Sequence, residues 1–261
     1  MLKLGTLLKY EFKSVGRVLM PLFGLFLAVS LLCGLANFES IHTGVRVLAV
    51  ALGVLYTLMA CAVVVVTAIV LIQRFNKNLL GNEGYLCFTL PVSVNSHIAC
   101  KTISAGIWLT IGAITGMLSL ALLLMNMVTP MELIIEGQRL LHEMAGFHGT
   151  LTGILVIVEI IVLLMLVFGE AAVKIYAAIS LGQLWSGHRV AGAIFSFIGF
   201  SIVETILGNI VMVDEIDSML YRGDFFGMQM SFAVVAVSGA VLMAIYWVVS
   251  NRLLNRHLNL Q

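Results

Sequence analysis

The segment RVLAVALGVLYTLMACAVVVVTAIVLI, residues 46–72, has one charged residue, Arg46, followed by 26 uncharged and mostly apolar residues. A helix of this length rises about 40 Å, and the hydrocarbon core of a bilayer is about 30 Å thick. The run is continuously apolar, without the alternation typical of a membrane β-strand. It therefore predicts a transmembrane helix and decides the fold class, an all-α integral membrane protein.

The rest of the chain repeats this pattern. Hydrophobic residues make up 61% of the 261 residues and charged residues only 10%, against about 25% charged in soluble domains. Five further apolar runs have spanning length: 18–37, 102–128, 149–172, 190–213 and 230–250. We predict one transmembrane domain, 1–261, with six transmembrane helices and outer loops at 129–148 and 214–229.

The distribution of Lys and Arg predicts the orientation. If the amino terminus is inside, eleven of these residues lie in inner segments and three, Arg46, Arg139 and Arg222, lie in outer loops. This positive-inside bias predicts a multi-pass protein with both termini in the cytoplasm. The net charge of +1 predicts no nucleic-acid partner. The apolar spans predict that the lipid bilayer surrounds the protein.

The amino-terminal segment 1–16 has its own periodicity. Leu4, Leu8, Phe12 and Val15 recur at helical spacing, with lysines between them. This pattern predicts an amphipathic helix lying in the plane of the inner interface. A solvated basic terminus is the alternative.

Three acidic residues fall in or near the predicted spans. Glu159 and Glu204 have no partner within their own helices, so each is expected either to face a translocation path or to bond across helices. Glu170 can pair with Lys174 at i,i+4, which predicts a structural ion pair. The helical pattern around these two residues predicts that the fourth helix continues to about Leu184.

A polar and aromatic segment, RFNKNLLGNEGYLCFTLP at residues 74–91, interrupts the apolar pattern on the predicted cytoplasmic side. Gly81 and the three residues after it have turn chemistry, and Pro91 ends the segment. Between them, Tyr85, Phe88 and Leu90 supply a hydrophobic tip that suits a groove on another protein. The alternative is that these side chains dip back into the membrane interface.

The sequence GNEGYLCFTLPVS, residues 81–93, resembles a segment of the permease subunits of bacterial ABC exporters of the type-two family. Three other segments resemble the same family in the same order: KYEFK at 9–13, IYAAISLGQL at 175–184 and LNL at 258–260. The resemblance covers both ends and both main cytoplasmic loops of the chain. It does not indicate a substrate.

The resemblance implies six spans, an in-plane amino-terminal helix and a cytoplasmic coupling helix between helices 2 and 3, within the loop 74–101. By motif position, the coupling residues that dock on the ATPase are Gly81, Glu83, Gly84, Tyr85, Phe88, Leu90 and Pro91. Asn82 stands where Asp is more usual in the family, so a charge contact at this position is not implied.

The resemblance also implies the partners and the location. They are a separate ABC ATPase subunit and a second permease subunit, in a homodimer or a heterodimer in the bacterial inner membrane. ATP and Mg would bind to the ATPase, because this chain contains no G-x-x-x-x-G-K-[ST] phosphate loop. We therefore predict no cofactor in this chain and no enzymatic activity of its own.

Two other classes of function compete with this interpretation. A proton-coupled secondary transporter would use Glu159 and Glu204 as proton carriers, but it leaves the segment 74–91 unexplained. An intramembrane enzyme is disfavoured because neither H-E-x-x-H nor G-x-S-x-G occurs. His142 and His148 share a loop with Glu143, but they lack a third fixed ligand, so no metal site is predicted.

Overall fold

The computed structural model describes residues 4–43, 46–77, 94–124, 130–145, 150–185, 187–211 and 225–256. The regular structure within these ranges is helical throughout. It comprises seven helices: α1 (Leu4–Thr43), α2 (Arg46–Phe75), α3 (Val94–Leu124), α4 (Pro130–Ala145), α5 (Thr150–Gly182), α6 (Arg189–Val211) and α7 (Phe225–Arg256).

All of these helices except α4 are long and apolar enough to cross a membrane. The six predicted spans are therefore confirmed, and six apolar helices indicate a multi-pass membrane protein. Most helices extend beyond their apolar runs, since polar residues at the ends continue the same backbone hydrogen bonding. The predicted extension of the fourth span is one example, because α5 continues past residue 172 to Gly182.

The structure does not support a separate in-plane helix over residues 1–16. One continuous helix, α1, includes this segment from Leu4 onward together with the first span, and it continues through Pro21. The amphipathic pattern has another cause: Val15 is buried in the same hydrophobic core as Leu19 and Phe23 of the span. Phe12 also packs against this core, so these two residues of the apolar stripe contact other helices instead of a membrane surface.

The connecting segments also differ from the predicted loops. Within 74–101, helix α2 reaches Phe75 and α3 already begins at Val94, while residues 78–93 lie outside the described part of the chain. The stretch 129–148 contains α4, whose Met131, Ile134 and Ile135 side chains are exposed. In 214–229, α7 begins at Phe225, and the residues before it are outside the described ranges.

The spans pack as two groups of three. Helix α1 packs against α2 and α3, α5 packs against α6 and α7, and α3 against α5 joins the groups. The largest core cluster includes Leu19, Phe75 and Trp108, which are almost completely buried. The side chains facing outward are mainly apolar, as expected for helices whose solvent is lipid.

Trp108 forms a close contact between α3 and α1. Its side chain is fully buried between α3 and α1, where it stacks on Phe12 with ring centroids 4.7 Å apart. Gly16 makes this approach possible, because a Cβ atom at that position would lie 2.7 Å from Cζ2 of the indole. The glycine thus lets α1 and the Trp108 ring pack in direct contact.

Candidate functional site

Charged side chains join α1, α2 and α3 at one end of the bundle, which we call the basic end. This end contains the starts of α1, α3 and α6 and the ends of α2, α5 and α7. Lys101 Nζ lies 3.2 Å from Glu11 Oε1 and also donates a hydrogen bond to the backbone carbonyl of Arg74, at 3.2 Å. The Arg74 guanidinium lies 4.0 Å from the same Glu11 oxygen and donates to the Ser14 hydroxyl. We call these four residues the Glu11 cluster.

The Glu11 cluster lies largely out of solvent. The side chain of Lys101 is 7% exposed and that of Glu11 is 15% exposed. Because desolvated charges are costly without a partner, a side chain in this position is held by the opposite charge beside it. The cluster therefore fixes the end of α2 and the start of α3 to α1, so both ends of the segment 78–93 have a defined anchor.

Ring stacking extends this anchor to the second group of helices. Phe75, the last residue of α2, stacks on Tyr176 of α5 with ring centroids 4.1 Å apart and an interplanar angle of 5°. Both rings are buried. In addition, Trp247 Nε1 of α7 donates a hydrogen bond to Asn95 Oδ1 of α3, at 3.3 Å. Contacts at the basic end thus connect α1, α2, α3, α5 and α7.

The residues predicted to dock on the ATPase lie in the segment between these anchors. Gly81, Glu83, Gly84, Tyr85, Phe88, Leu90 and Pro91 are all outside the described residues. Their role stays a prediction. The structure describes the residues on each side of this segment. Arg74 and Phe75 precede it, and Lys101 follows it.

A second polar cluster lies deeper in the bundle and joins α5, α6 and α7. Lys174 Nζ forms an ion pair with Glu204 Oε2, and the Tyr246 hydroxyl donates to Glu204 Oε1. The side chains of Lys174 and Glu204 are 11% and 21% exposed. The Phe197 ring adds a cation–π contact, with its centroid 4.9 Å from Lys174 Nζ. We call Lys174, Glu204 and Tyr246 the Glu204 cluster.

This arrangement corrects the predicted pairing of Glu170 with Lys174. The lysine pairs with Glu204 on the next helix instead, and the Glu170 carboxyl group lies close enough to Glu204 for the two groups to interact. The i,i+4 spacing permits the predicted pair, but the tertiary packing brings a second acid to the lysine. Of the two roles left open for Glu204, the structure shows the bond across helices.

Glu159 also bonds across helices. Its Oε2 atom accepts a hydrogen bond from Gln229 Nε2 of α7, at 2.8 Å. The neighbouring Val156 is buried against Met228 and Phe232, so apolar packing surrounds this bond. Glu159 and Glu204 therefore lie in separate contacts, each linking α5 or α6 to α7.

Sequence reasoning did not identify Glu11, Ser14 or Arg74 as interacting residues. The available signals were the single acid among the two lysines of KYEFK and the cations Arg74 and Lys101 on either side of the segment 78–93. Because Glu11 and Lys101 are 90 positions apart, no local spacing rule connects them.

Neither a search for metal-binding side chains nor a comparison with known proteins identifies the site. In the described part of the chain, no three His, Cys, Asp or Glu side chains lie together as a metal site would require. A comparison with protein-family models, curated proteins and solved structures finds no match.

Proposed function

We propose that this chain is the membrane-spanning permease subunit of an ABC exporter in the bacterial inner membrane. A separate ATPase subunit would bind a coupling helix in the loop 74–91 and drive the translocation path. Two permease subunits would line this path, as a homodimer or a heterodimer, with both termini in the cytoplasm. ATP and Mg would be bound by the ATPase.

The supporting observation is that segments resembling the exporter family meet at the basic end. Glu11 belongs to KYEFK, Tyr176 belongs to IYAAISLGQL, and Arg74 and Phe75 lead into the resembling loop. Glu11 is beside Lys101 and Arg74, and Phe75 stacks on Tyr176. A force applied to a loop anchored in this way would pass directly to α1, α2, α3 and α5.

Co-purification with the ATPase encoded by an adjacent gene tests this proposal. The variant Tyr85→Ala/Phe88→Ala should retain about one tenth or less of the bound ATPase, because buried aromatic anchors carry much of the energy of an interface. Phe195→Ala is the matched control, since it removes an exposed ring from α6 and should leave binding unchanged. Full ATPase binding by the double variant would contradict the docking role.

A second candidate function, a proton-coupled secondary transporter, is favoured by the Glu204 cluster. Ionisable side chains within spans are costly and often serve in proton transfer. Glu204 is in contact with Lys174 and Tyr246, and Glu170 is nearby, so several ionisable side chains meet within the spans.

Reconstituted vesicles separate the two functions. A proton-coupled carrier would take up a candidate solute under an imposed pH gradient without ATP, and Glu159→Gln or Glu204→Gln would abolish this uptake. Uptake or efflux that needs both the ATPase and ATP, and that persists when the pH gradient is collapsed, would exclude the second function.

A further inference from the structure

A cleft of about 700 Å³ opens at the basic end between the end of α2, the end of α5 and the start of α6. Its volume lies within the roughly 300–1,000 Å³ of ligand pockets. The polar side chains that line it are Asn76, Gln183 and Arg189. None of these three side chains has a hydrogen bond or ion pair to another residue that the structure describes.

Polarity changes in the same direction on all three walls of the cleft. On α2, apolar Ile72 precedes Asn76, and past the end of α5, Gln183 follows apolar Ile179. On α6, Arg189 begins the helix, and Phe197 lines the cleft eight residues deeper, about 12 Å along the axis. The cleft is thus polar and basic at the end of the bundle and apolar inside the membrane.

We propose that this cleft binds one anionic phospholipid from the leaflet at the basic end, with its phosphate at Arg189 and an acyl chain along the apolar walls. A depth of about 12 Å is less than half of the roughly 30 Å hydrocarbon core, so the occupant comes from one leaflet. Basic pockets between spans on the cytoplasmic side are suited to anionic headgroups. The positive-inside distribution predicts that this end is cytoplasmic.

The charge of the lining favours a phospholipid over a second copy of the chain. Arg189 is a lining cation without an acidic residue among the described residues of the cleft. A second copy would have to bring a carboxylate to this position, whereas an anionic lipid carries its own phosphate. The guanidinium matches that group, because its N–H donors can bind two phosphate oxygens at once.

The deep end of the cleft borders the Glu204 cluster. Phe197 lines the cleft, and the same ring makes the cation–π contact with Lys174. A bound acyl chain would therefore press on the ring that holds the lysine of the ion pair. The lipid site does not depend on the proposed ATPase partner, so either proposal can fail without the other.

Native mass spectrometry of the purified full-length chain tests the site, because it counts retained lipids and copies of the chain in the same spectrum. The probes are phosphatidylglycerol and phosphatidylcholine with identical acyl chains, each added to lipid-stripped protein. We expect one phosphatidylglycerol to be retained per chain at concentrations where phosphatidylcholine is lost.

Two variants address the headgroup and the chain separately. Arg189→Gln should weaken phosphatidylglycerol binding about fivefold, and Arg189→Lys should keep most of it, since one basic residue near anionic lipid contributes about 1 kcal/mol. Ile194→Trp should block the cleft and remove the retained lipid. The control for Arg189→Gln is Arg252→Gln, which changes an exposed arginine at the same end. The control for Ile194→Trp is Ile202→Trp, because Ile194 and Ile202 are both 55% exposed.

Three results would overturn the proposal. Equal retention of the two lipids would indicate ordinary annular contact, and equal losses in Arg189→Gln and Arg252→Gln would indicate a diffuse charge effect. If Ile194→Trp changes the fraction of dimer and leaves the retained lipid unchanged, the cleft is a contact between copies of the chain.

Discussion

The Glu11 cluster and the Glu204 cluster are built from the same kinds of groups, but their charge balance is opposite. In the first, one acid, Glu11, lies near two cations, Lys101 and Arg74. In the second, one cation, Lys174, lies near Glu204, with Glu170 close by. Each cluster joins three helices, but only the second has another acid, Glu170, beside it.

This difference indicates different tasks. A cluster that depends on one acid has one stable arrangement, which suits an anchor for the ends of the segment 78–93. The Glu204 cluster has a second acid beside it, so an alternative pairing exists, since Lys174 can reach Glu170 at i,i+4. Such a cluster can tolerate a change in helix position, which suits the part of a transporter that moves.

The largest expected effect comes from removing the acid of the Glu11 cluster, and removing the acid of the Glu204 cluster provides the comparison. Glu11→Gln should lower the free energy of unfolding by about 3 kcal/mol, because it leaves the almost buried Lys101 without a carboxylate. Glu204→Gln should cost only about 1 kcal/mol, since Glu170 remains to pair with Lys174. Denaturant titration in mixed micelles measures both values.

A double variant provides the control for this comparison. Glu204→Gln/Glu170→Gln should lose about as much stability as Glu11→Gln, because Lys174 then has no acid beside it. Equal costs for the two single variants would show that Glu170 is not a spare partner.

The next largest effect is expected at the packing beside the Glu11 cluster. Gly16→Ala should destabilise the chain by about 2 kcal/mol, because the new methyl group would overlap the buried Trp108 ring. Gly24→Ala, on the same helix, is the matched control, since a Cβ atom there meets nothing within 4 Å. Thermal unfolding in detergent should separate the two variants, and similar melting temperatures would argue against the tight contact.

A smaller effect is expected at the contact between the two groups of helices. Phe75→Leu should cost about 1 kcal/mol through the lost stacking on Tyr176. Phe195→Leu replaces a ring that is 63% exposed and should cost less than half as much. Denaturant titration in mixed micelles measures both losses in the free energy of unfolding. Equal losses would mean that the stacking of Phe75 on Tyr176 does not hold the two groups of helices together.

The smallest effect is expected at Glu159. Glu159→Gln keeps an oxygen that can accept from Gln229, so stability should change by about 0.6 kcal/mol or less, as is usual for hydrogen bonds between membrane helices. A loss as large as that of Glu11→Gln would show that the Glu159 charge is essential to the fold.

The sequence predicts the fold better than it predicts the contacts. Within the described residues, apolar runs of spanning length identify the six helices that are long and apolar enough to cross a membrane, because lipid demands about 20 apolar residues per crossing. Helix α4 lies in a predicted loop because its sequence is too polar to span a membrane, although Met131, Ile134 and Ile135 follow helical spacing. The continuity of α1 was missed because its amphipathic start has the same pattern as an interfacial helix.

The polar contacts were beyond sequence reasoning for a geometric reason. Glu204 and Lys174 lie on different helices, and their meeting depends on how each helix is rotated, which uniform apolar runs do not specify. The sequence predicts the Glu170–Lys174 pair because it shows spacing along one helix, here i,i+4, and does not show contacts between helices. Likewise, only the packed structure brings Glu11 to Lys101.

Hydrogen exchange of this protein with and without the adjacent-gene ATPase tests most directly whether residues 78–93 contain the proposed docking site. We predict that bound ATPase slows backbone amide exchange in residues 78–93 and in the flanking segments 70–77 and 94–101. Exchange in residues 214–224, which belong to a loop predicted to lie on the outer side, should stay unchanged. A complex that forms without added protection in residues 78–93 would contradict the account.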